Sequence, residues 1–269
     1  MKGENSDMGP GGFDPNNFDR IFAAEDRHFW FRARNQVISA LASQVVAQLS
    51  PGYRVLEMGC GDGNVLRFLE RACLTGTVVG MDLYGEGIRY ARSRTSCPLV
   101  QGDVRQSPFG KTFQVIGIFD VLEHIPDDNR ILGDLWGLLE NGGTLLLTVP
   151  AHASLWSYVD ELSGHCRRYE PGELRSKLEA AGFAIEYLTP YMTSTLPLMW
   201  LSRRLKAKTA AGTAGAKELE LAQQELRVVP VLNEILAWVL SWEARWMAKR
   251  RQLPFGSSLL AVARKRVRE

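Results

Sequence analysis

The chain has 269 residues, 32 basic and 30 acidic side chains, and 45% hydrophobic content. That fits one large domain, or one domain with a sizeable insertion, around a real core. No apolar run reaches the length of a membrane span, the start lacks the features of a signal peptide, and four scattered cysteines without zinc spacing suit a reducing cytoplasm.

Residues 1–17, rich in Gly, Pro, Asn and Asp, read as a disordered start. Residues 18–50 read as one or two helices, with Ile38, Leu41, Val45 and Leu49 at helical spacing. From Val55 a strand leads into the loop Glu57-Met58-Gly59-Cys60-Gly61-Asp62-Gly63, and a helix follows over Asn64–Arg71. Thr77–Asp82, Leu99–Val104, Phe113–Asp120, Thr144–Pro150 and Phe183–Thr189 read as strands two to six. Helices are expected over Tyr84–Arg94, Asp127–Glu140 and from Glu170 to near Gly182. A final strand is expected over Ser257–Arg264. The expected division is a core over 51–190, a helical insertion over 191–254, and a last strand with a basic tail over 255–269. Residues 201–269 hold 14 basic and 6 acidic side chains, against 18 and 24 in residues 1–200. Such a tail suits anionic lipid, phosphate or nucleic acid, or plain solvent.

The glycines run G-x-G-x-G. The dinucleotide fingerprint needs its third glycine one residue later, and no Lys-Ser/Thr pair follows to make a P-loop. Glu57 would repel a pyrophosphate but tolerate a cationic ligand. Asp82, closing strand two, can accept both hydroxyls of a ribose. Asp103, closing strand three, can accept the exocyclic amine of an adenine.

These motifs, with Gly102-Asp103 and Asp120 to His124 in order, resemble those of the class I S-adenosylmethionine-dependent methyltransferases, type 11/12 group. The resemblance covers roughly Tyr53 to Pro190. It implies an α/β, Rossmann-like seven-stranded sheet with helices on both faces and the final strand antiparallel beside strand five. It implies S-adenosylmethionine as cofactor, held by Trp30, Arg34, Glu57, Gly59, Gly61, Asp82, Leu83, Gly102, Asp103, Val104, Phe119 and Asp120. In related small-molecule enzymes an N-terminal helix folds over the cofactor, and His28-Phe29-Trp30-Phe31-Arg32-Ala33-Arg34 looks like that lid. Arg32 or Arg34 would then meet the methionine carboxylate. The alternative is an aromatic staple pinning the helix to the core.

Asp120-Val121-Leu122-Glu123-His124-Ile125-Pro126-Asp127 resembles the corresponding segment of ubiquinone-biosynthesis O-methyltransferases. His124 with Glu123 is the expected acid/base pair; the alternative is that both cap the following helix. Resemblance to those enzymes also raises a divalent metal. None is assigned, because adjacent Glu123 and His124 reach one ion only if the loop bends. Past strand five, His165-Cys166-Arg167-Arg168-Tyr169 looks like the H-x-R-R-Y segment of bacterial type 11 and type 12 enzymes. His165 and Tyr169 are expected to orient or deprotonate an acceptor. His152, Trp156, Arg167 and Arg168 are expected to bind it, the arginines through an anionic group. The alternative is that Arg168 and Tyr169 dock the loop.

The expected reaction is methyl transfer to a small or lipid-linked acceptor, at oxygen. Alternatives are an RNA or protein methyltransferase and a non-catalytic cofactor-binding subunit. No nucleic-acid partner is expected, since no appended module appears. The 191–254 insertion, with Trp238, Trp242 and Trp246 near a basic end, suits a peripheral membrane contact, a substrate cover or a homodimer interface.

Overall fold

Alternation along the strands sends neighbouring side chains to opposite faces of one sheet, and both faces are covered, as a largely parallel sheet requires. The computed structural model describes residues 18–197 and 228–266. Expectations for residues 1–17, for a mobile linker over 207–216 and for most of the apolar stretch over 193–205 fall outside the described residues.

The chain alternates strand and helix through β1 (Arg54–Met58), α3 (Leu66–Ala72), β2 (Thr77–Asp82), α4 (Gly85–Arg94), β3 (Leu99–Gln101) and β4 (Phe113–Phe119). It continues through α5 (Asp128–Leu138), β5 (Leu139–Pro150), α6 (Tyr158–Leu162), α7 (Pro171–Ala180) and β6 (Phe183–Tyr191). Helices α1 (Phe18–Glu25) and α2 (Phe29–Val46) precede the sheet. Helix α8 (Pro230–Ala248) lies between β6 and β7 (Ser258–Lys265) in sequence. The seven strands are ordered β3-β2-β1-β4-β5-β7-β6. Strands β1 to β5 pair in parallel, and β7 runs antiparallel to both β5 and β6. The fold is therefore the Rossmann-like methyltransferase sheet, with its last strand beside the fifth.

On one face Val55, Val115, Leu146 and Val262 pack with Ile38 and Leu41 of α2, Leu66 and Leu69 of α3, and Leu240 and Met247 of α8. On the other, Leu56, Ile116, Leu147 and Ala261 pack with Leu132 and Leu135 of α5 and Leu174 and Leu178 of α7. His28 caps α2 through its Nδ1, which accepts from the Trp30 amide at 3.3 Å. Helix α8 lies parallel to α2. Near its start Asn233 accepts from the Phe29 amide and donates to the Arg27 carbonyl, both at 2.8 Å. At its end the Ala248 carbonyl accepts from Gln44 at 2.5 Å. Buried Glu243 accepts from the amides of Thr193 and Ser194, tying the chain leaving β6 to α8. No helix among the described residues is long and apolar enough to cross a membrane.

Several boundaries differ from expectation, and the physical reason is visible at three of them. Strand β3 stops at Gln101, because the Gly102 amide turns to the Asp82 carbonyl at 2.8 Å. Helix α3 starts only at Leu66, after Gly63 takes a positive φ of 80°. Strand β5 begins at Leu139, directly after α5, and Gly142 at φ 75° falls where its register with β4 shifts.

Candidate active site

All the expected cofactor residues but Trp30 line a cavity of about 290 Å³ at the carboxyl ends of β1 to β4, with Arg34 reaching in from α2. The turn after β1 forms it. Gly59 has φ 73° and Gly61 φ 52°, values that L side chains rarely adopt. The Gly59 and Cys60 amides donate to the Met81 carbonyl at 2.8 and 3.0 Å, so the loop hangs from β2. A Cβ on Gly59 would overlap the Val121 side chain, which lines the cavity. The Gly61 amide donates to Asp82 Oδ2 at 2.8 Å. Asp82 Oδ1 accepts from the Tyr84 amide at 2.9 Å. Burial raises the Asp82 carboxyl above its usual range, and these backbone donors oppose the shift.

Glu57 is 2% exposed, and its Oε2 has no hydrogen-bond partner. Burial pushes its carboxyl well above the usual range; Arg34 opposes the shift, while Asp82, Asp62 and Glu25 add to it. A buried, unpartnered acid on a cavity wall fits an ammonium group, such as the one S-adenosylmethionine carries. Arg34, also on the wall, is buried and pairs with Asp120 Oδ2 at 2.8 Å, under the rings of Trp30 and Phe31. Asp120 itself holds a positive φ of 54°. Asp103 pairs with Arg105 at 2.6 Å, and that pairing lowers its carboxyl. Leu83, Gly102, Val104 and Phe119 complete the expected set on the wall.

Trp30 does not line the cavity; its neighbour Phe31 does, with Phe18 and Ile21 of α1. The tryptophan face instead takes the Arg34 guanidinium, so the aromatic run divides between covering the cavity and holding that arginine. Sequence reasoning missed Phe18, Ile21 and Phe31. Their signal was the predicted helix itself, without the angle at which it crosses the sheet.

Beyond β4 a single 3-10 turn over Leu122–His124 supplies the bend that adjacent Glu123 and His124 need. His124 lines the cavity, and its Nδ1 has no partner. Burial, helped by His165, lowers its pKa to about 4, so its ring is neutral near pH 7. Glu123 is 1% exposed with Oε2 unpartnered, and burial pushes its carboxyl well up. His165 lies behind, its ring 4.8 Å from that of His124. Its Nδ1 is 2.9 Å from Asp160 Oδ1 and its Nε2 is 3.9 Å from Glu123. Glu123, His124 and His165 each offer one atom, all within 4.8 Å of one another. One carboxylate and two imidazoles fit a divalent cation. The helix-capping alternative fails, since Asp127 caps α5, its side chain accepting from the Arg130 amide.

The remaining expected acceptor residues lie off the cavity wall. Tyr169 is fully buried and donates to Asp128 Oδ2 at 2.9 Å. Arg168 donates to Asp160 at 2.7 and 3.1 Å and to the Ala151 carbonyl at 3.1 Å. Both are corrections: a group with its polar atoms spent inside the fold has none left for an acceptor. Arg167 pairs with Asp128 at 2.9 Å, and His152 sits 2.8 Å from Glu170. Trp156 donates to Glu161 at 3.2 Å on the surface.

The sequence profile of a family described as a methyltransferase domain matches residues 26–188. The chain is 27% identical over 165 residues to a "Probable S-adenosylmethionine-dependent methyltransferase" of Mycolicibacterium smegmatis, covering 60% of this chain and 62% of that one. It is 33% identical over 163 residues to a ubiquinone biosynthesis O-methyltransferase of Xanthomonas axonopodis pv. citri, covering 53% and 67%. It is 34% identical over 101 residues to a fatty-acid O-methyltransferase of Mycolicibacterium smegmatis, covering 36% and 37%. The chain thus spans about six tenths of the length of the first of these relatives. With the sheet order and the glycine turn in place, the conclusion is direct: the chain belongs to the methyltransferase-domain family, with the fold of the class I S-adenosylmethionine-dependent methyltransferases.

Proposed function

We propose that the protein methylates a small or lipid-like acceptor at oxygen. The carrying observation is that two polar atoms without a partner, Glu57 Oε2 and His124 Nδ1, belong to residues that line the same cavity. The first suits a cationic cofactor and the second a proton-losing nucleophile. Glu57 would hold the ammonium of S-adenosylmethionine, Asp82 its ribose hydroxyls and Asp103 the edge of its base. Arg34 would face its carboxylate while still bridged to Asp120. When bound, S-adenosylmethionine supplies an electrophilic methyl group for in-line attack.

The chain's own work is to align the partners and take a proton. His124 is neutral, so it can accept the hydroxyl proton as the oxygen attacks. Val121, Ile125 and Pro126 line the same cavity and give it an apolar wall beside His124. Two relatives bear O-methyltransferase names, one on fatty acids and one in ubiquinone biosynthesis, which supports oxygen and an apolar acceptor. A second reading is favoured by the donor set of Glu123, His124 and His165. These residues would hold a divalent cation, whose Lewis acidity would ease loss of the acceptor proton.

The test is transfer of radiolabelled methyl from S-adenosylmethionine into a cell extract split into organic-soluble, small aqueous and macromolecular pools. Label in the organic or small-molecule pool supports the reading, and His124→Ala should abolish it while cofactor affinity stays unchanged. Label in the macromolecular pool alone would overturn it in favour of an RNA or protein substrate.

A further inference from the structure

The described residues leave one large apolar surface uncovered, and it is a single helical stripe. Val231, Ile235, Trp238, Trp242 and Trp246 of α8 are 74%, 53%, 64%, 56% and 45% exposed. Their spacing of three and four residues aligns them on one side. The opposite side, with Ala237, Leu240, Ala244 and Met247, is buried against the core. Three large exposed indoles in a row are costly in water and common where one end of a ring is apolar and the other wet.

Cations set the character of this stripe. Arg245 lies over the Trp242 ring at 5.3 Å and Arg251 over the Trp246 ring at 4.5 Å. Exposed Lys249 follows on the same side. The exposed acid on the helix, Glu234, is already neutralised by Arg32 at 2.6 Å. The face therefore combines apolar side chains, indoles and a net positive border, while the helix is not apolar enough to span.

We propose that this face of α8 docks on an anionic lipid bilayer, with the helix lying in the plane of the surface. Its position gives the docking a use. The start of α8 is bonded to the α1–α2 turn through Asn233, and α2 carries Phe31 and Arg34 to the cavity. A bilayer on α8 thus lies one helix away from the element that roofs the site. The docking stands on α8 alone; its link to a lipid-borne acceptor rests on the function proposed above.

The experiment is co-sedimentation of the full chain with phosphatidylcholine vesicles, with and without phosphatidylglycerol, at about 0.1 M salt. Trp238→Ala/Trp242→Ala and Arg245→Gln/Lys249→Gln are compared with the parent, each checked for unchanged cofactor affinity by calorimetry. The parent should sediment with the anionic vesicles, the tryptophan pair should weaken this about tenfold or more, and the charge pair should weaken it on anionic vesicles alone. No sedimentation of the parent overturns the proposal, as does full binding by the tryptophan variant. A parent dimer converted to monomer by the tryptophan pair overturns it too, assigning the face to a second copy. Transfer to a soluble acceptor is measured in parallel, so loss of docking and loss of the proposed activity are told apart.

Discussion

Replacing Glu57 with glutamine should stabilise the ligand-free protein and weaken its hold on S-adenosylmethionine. Glu57 is 2% exposed, has an unpartnered oxygen and lies near three other acids. Its carboxyl is raised well above 4.5 in the folded state, chiefly by burial. Below that unfolded value both states are protonated and the residue costs nothing through ionisation. As pH rises above it, the unfolded state releases its proton first, and the folded state loses stability until its own raised pKa is passed. Glutamine keeps the shape without the charge. An unsatisfied buried group costs about 1–3 kcal/mol, and a charged one more, so the variant should gain about 1–2 kcal/mol near neutral pH. That gain should shrink below pH 4.5. The opposite sign is expected for the cofactor. A charge-assisted hydrogen bond to its ammonium is worth about 1.5–3 kcal/mol, so affinity should fall about 10- to 150-fold. Urea denaturation of the ligand-free proteins gives the first quantity and titration calorimetry the second. A variant less stable without ligand, or binding within about twofold of the parent, would refute the reasoning.

Gly59→Ala should cost about 2 kcal/mol or more, since it sets a Cβ at φ 73° against Val121. Adding Val121→Ala should recover part of that loss, which a double-mutant cycle by thermal denaturation reads directly. Asp160 is fully buried, yet its pKa falls to about 2: burial raises it, and the bonds from His165 and Arg168 outweigh burial. The stability it contributes, about 2 kcal/mol, is present above pH 3.8 and lost as pH falls from there through about 2. The acid limb of the parent's stability curve should flatten by that amount in Asp160→Asn. If a cation assists transfer, exhaustive chelation should lower turnover and zinc or magnesium should restore it. His165→Ala should abolish the restoration, and chelation without effect would leave His124 as the acceptor of the proton.

The sheet was legible because each strand carries its own period and the four expected acids of the cofactor site lie within about two residues of a strand's end. Glu57, Asp82, Asp103 and Asp120 need only local sequence to be found. His124 was legible for the same reason, lying just past β4. Tyr169 and Arg168 were not, because their roles are set by partners far away in sequence or in mid-loop. Asp128 lies 41 residues from Tyr169, and Asp160 spends its oxygens inward on Arg168. A polar motif looks the same in sequence whether it faces a ligand or locks a loop. Trp30 and Phe31 show the same limit at finer scale: neighbours on a helix point about 100° apart, and only the packing of α2 decides which one meets the cavity. Strand β5 starts early because its register shifts near Gly142, and a shift of register is a property of two strands rather than one.

The place of β7 has a consequence for how the chain is made. Among the described residues strand β6 pairs with no other strand but β7, so it cannot join the sheet until residues 258–265 have arrived. During synthesis β5 emerges with one edge open, and about a hundred further residues must follow before that edge is closed. Open edges recruit other strands, and pairings this distant form slowly. A nascent chain stalled inside α8 would present the open edge of β5 and a wholly unpaired β6. Folding of this chain on the ribosome therefore ends in that closure, and the interval before it is when its strand edges lie exposed.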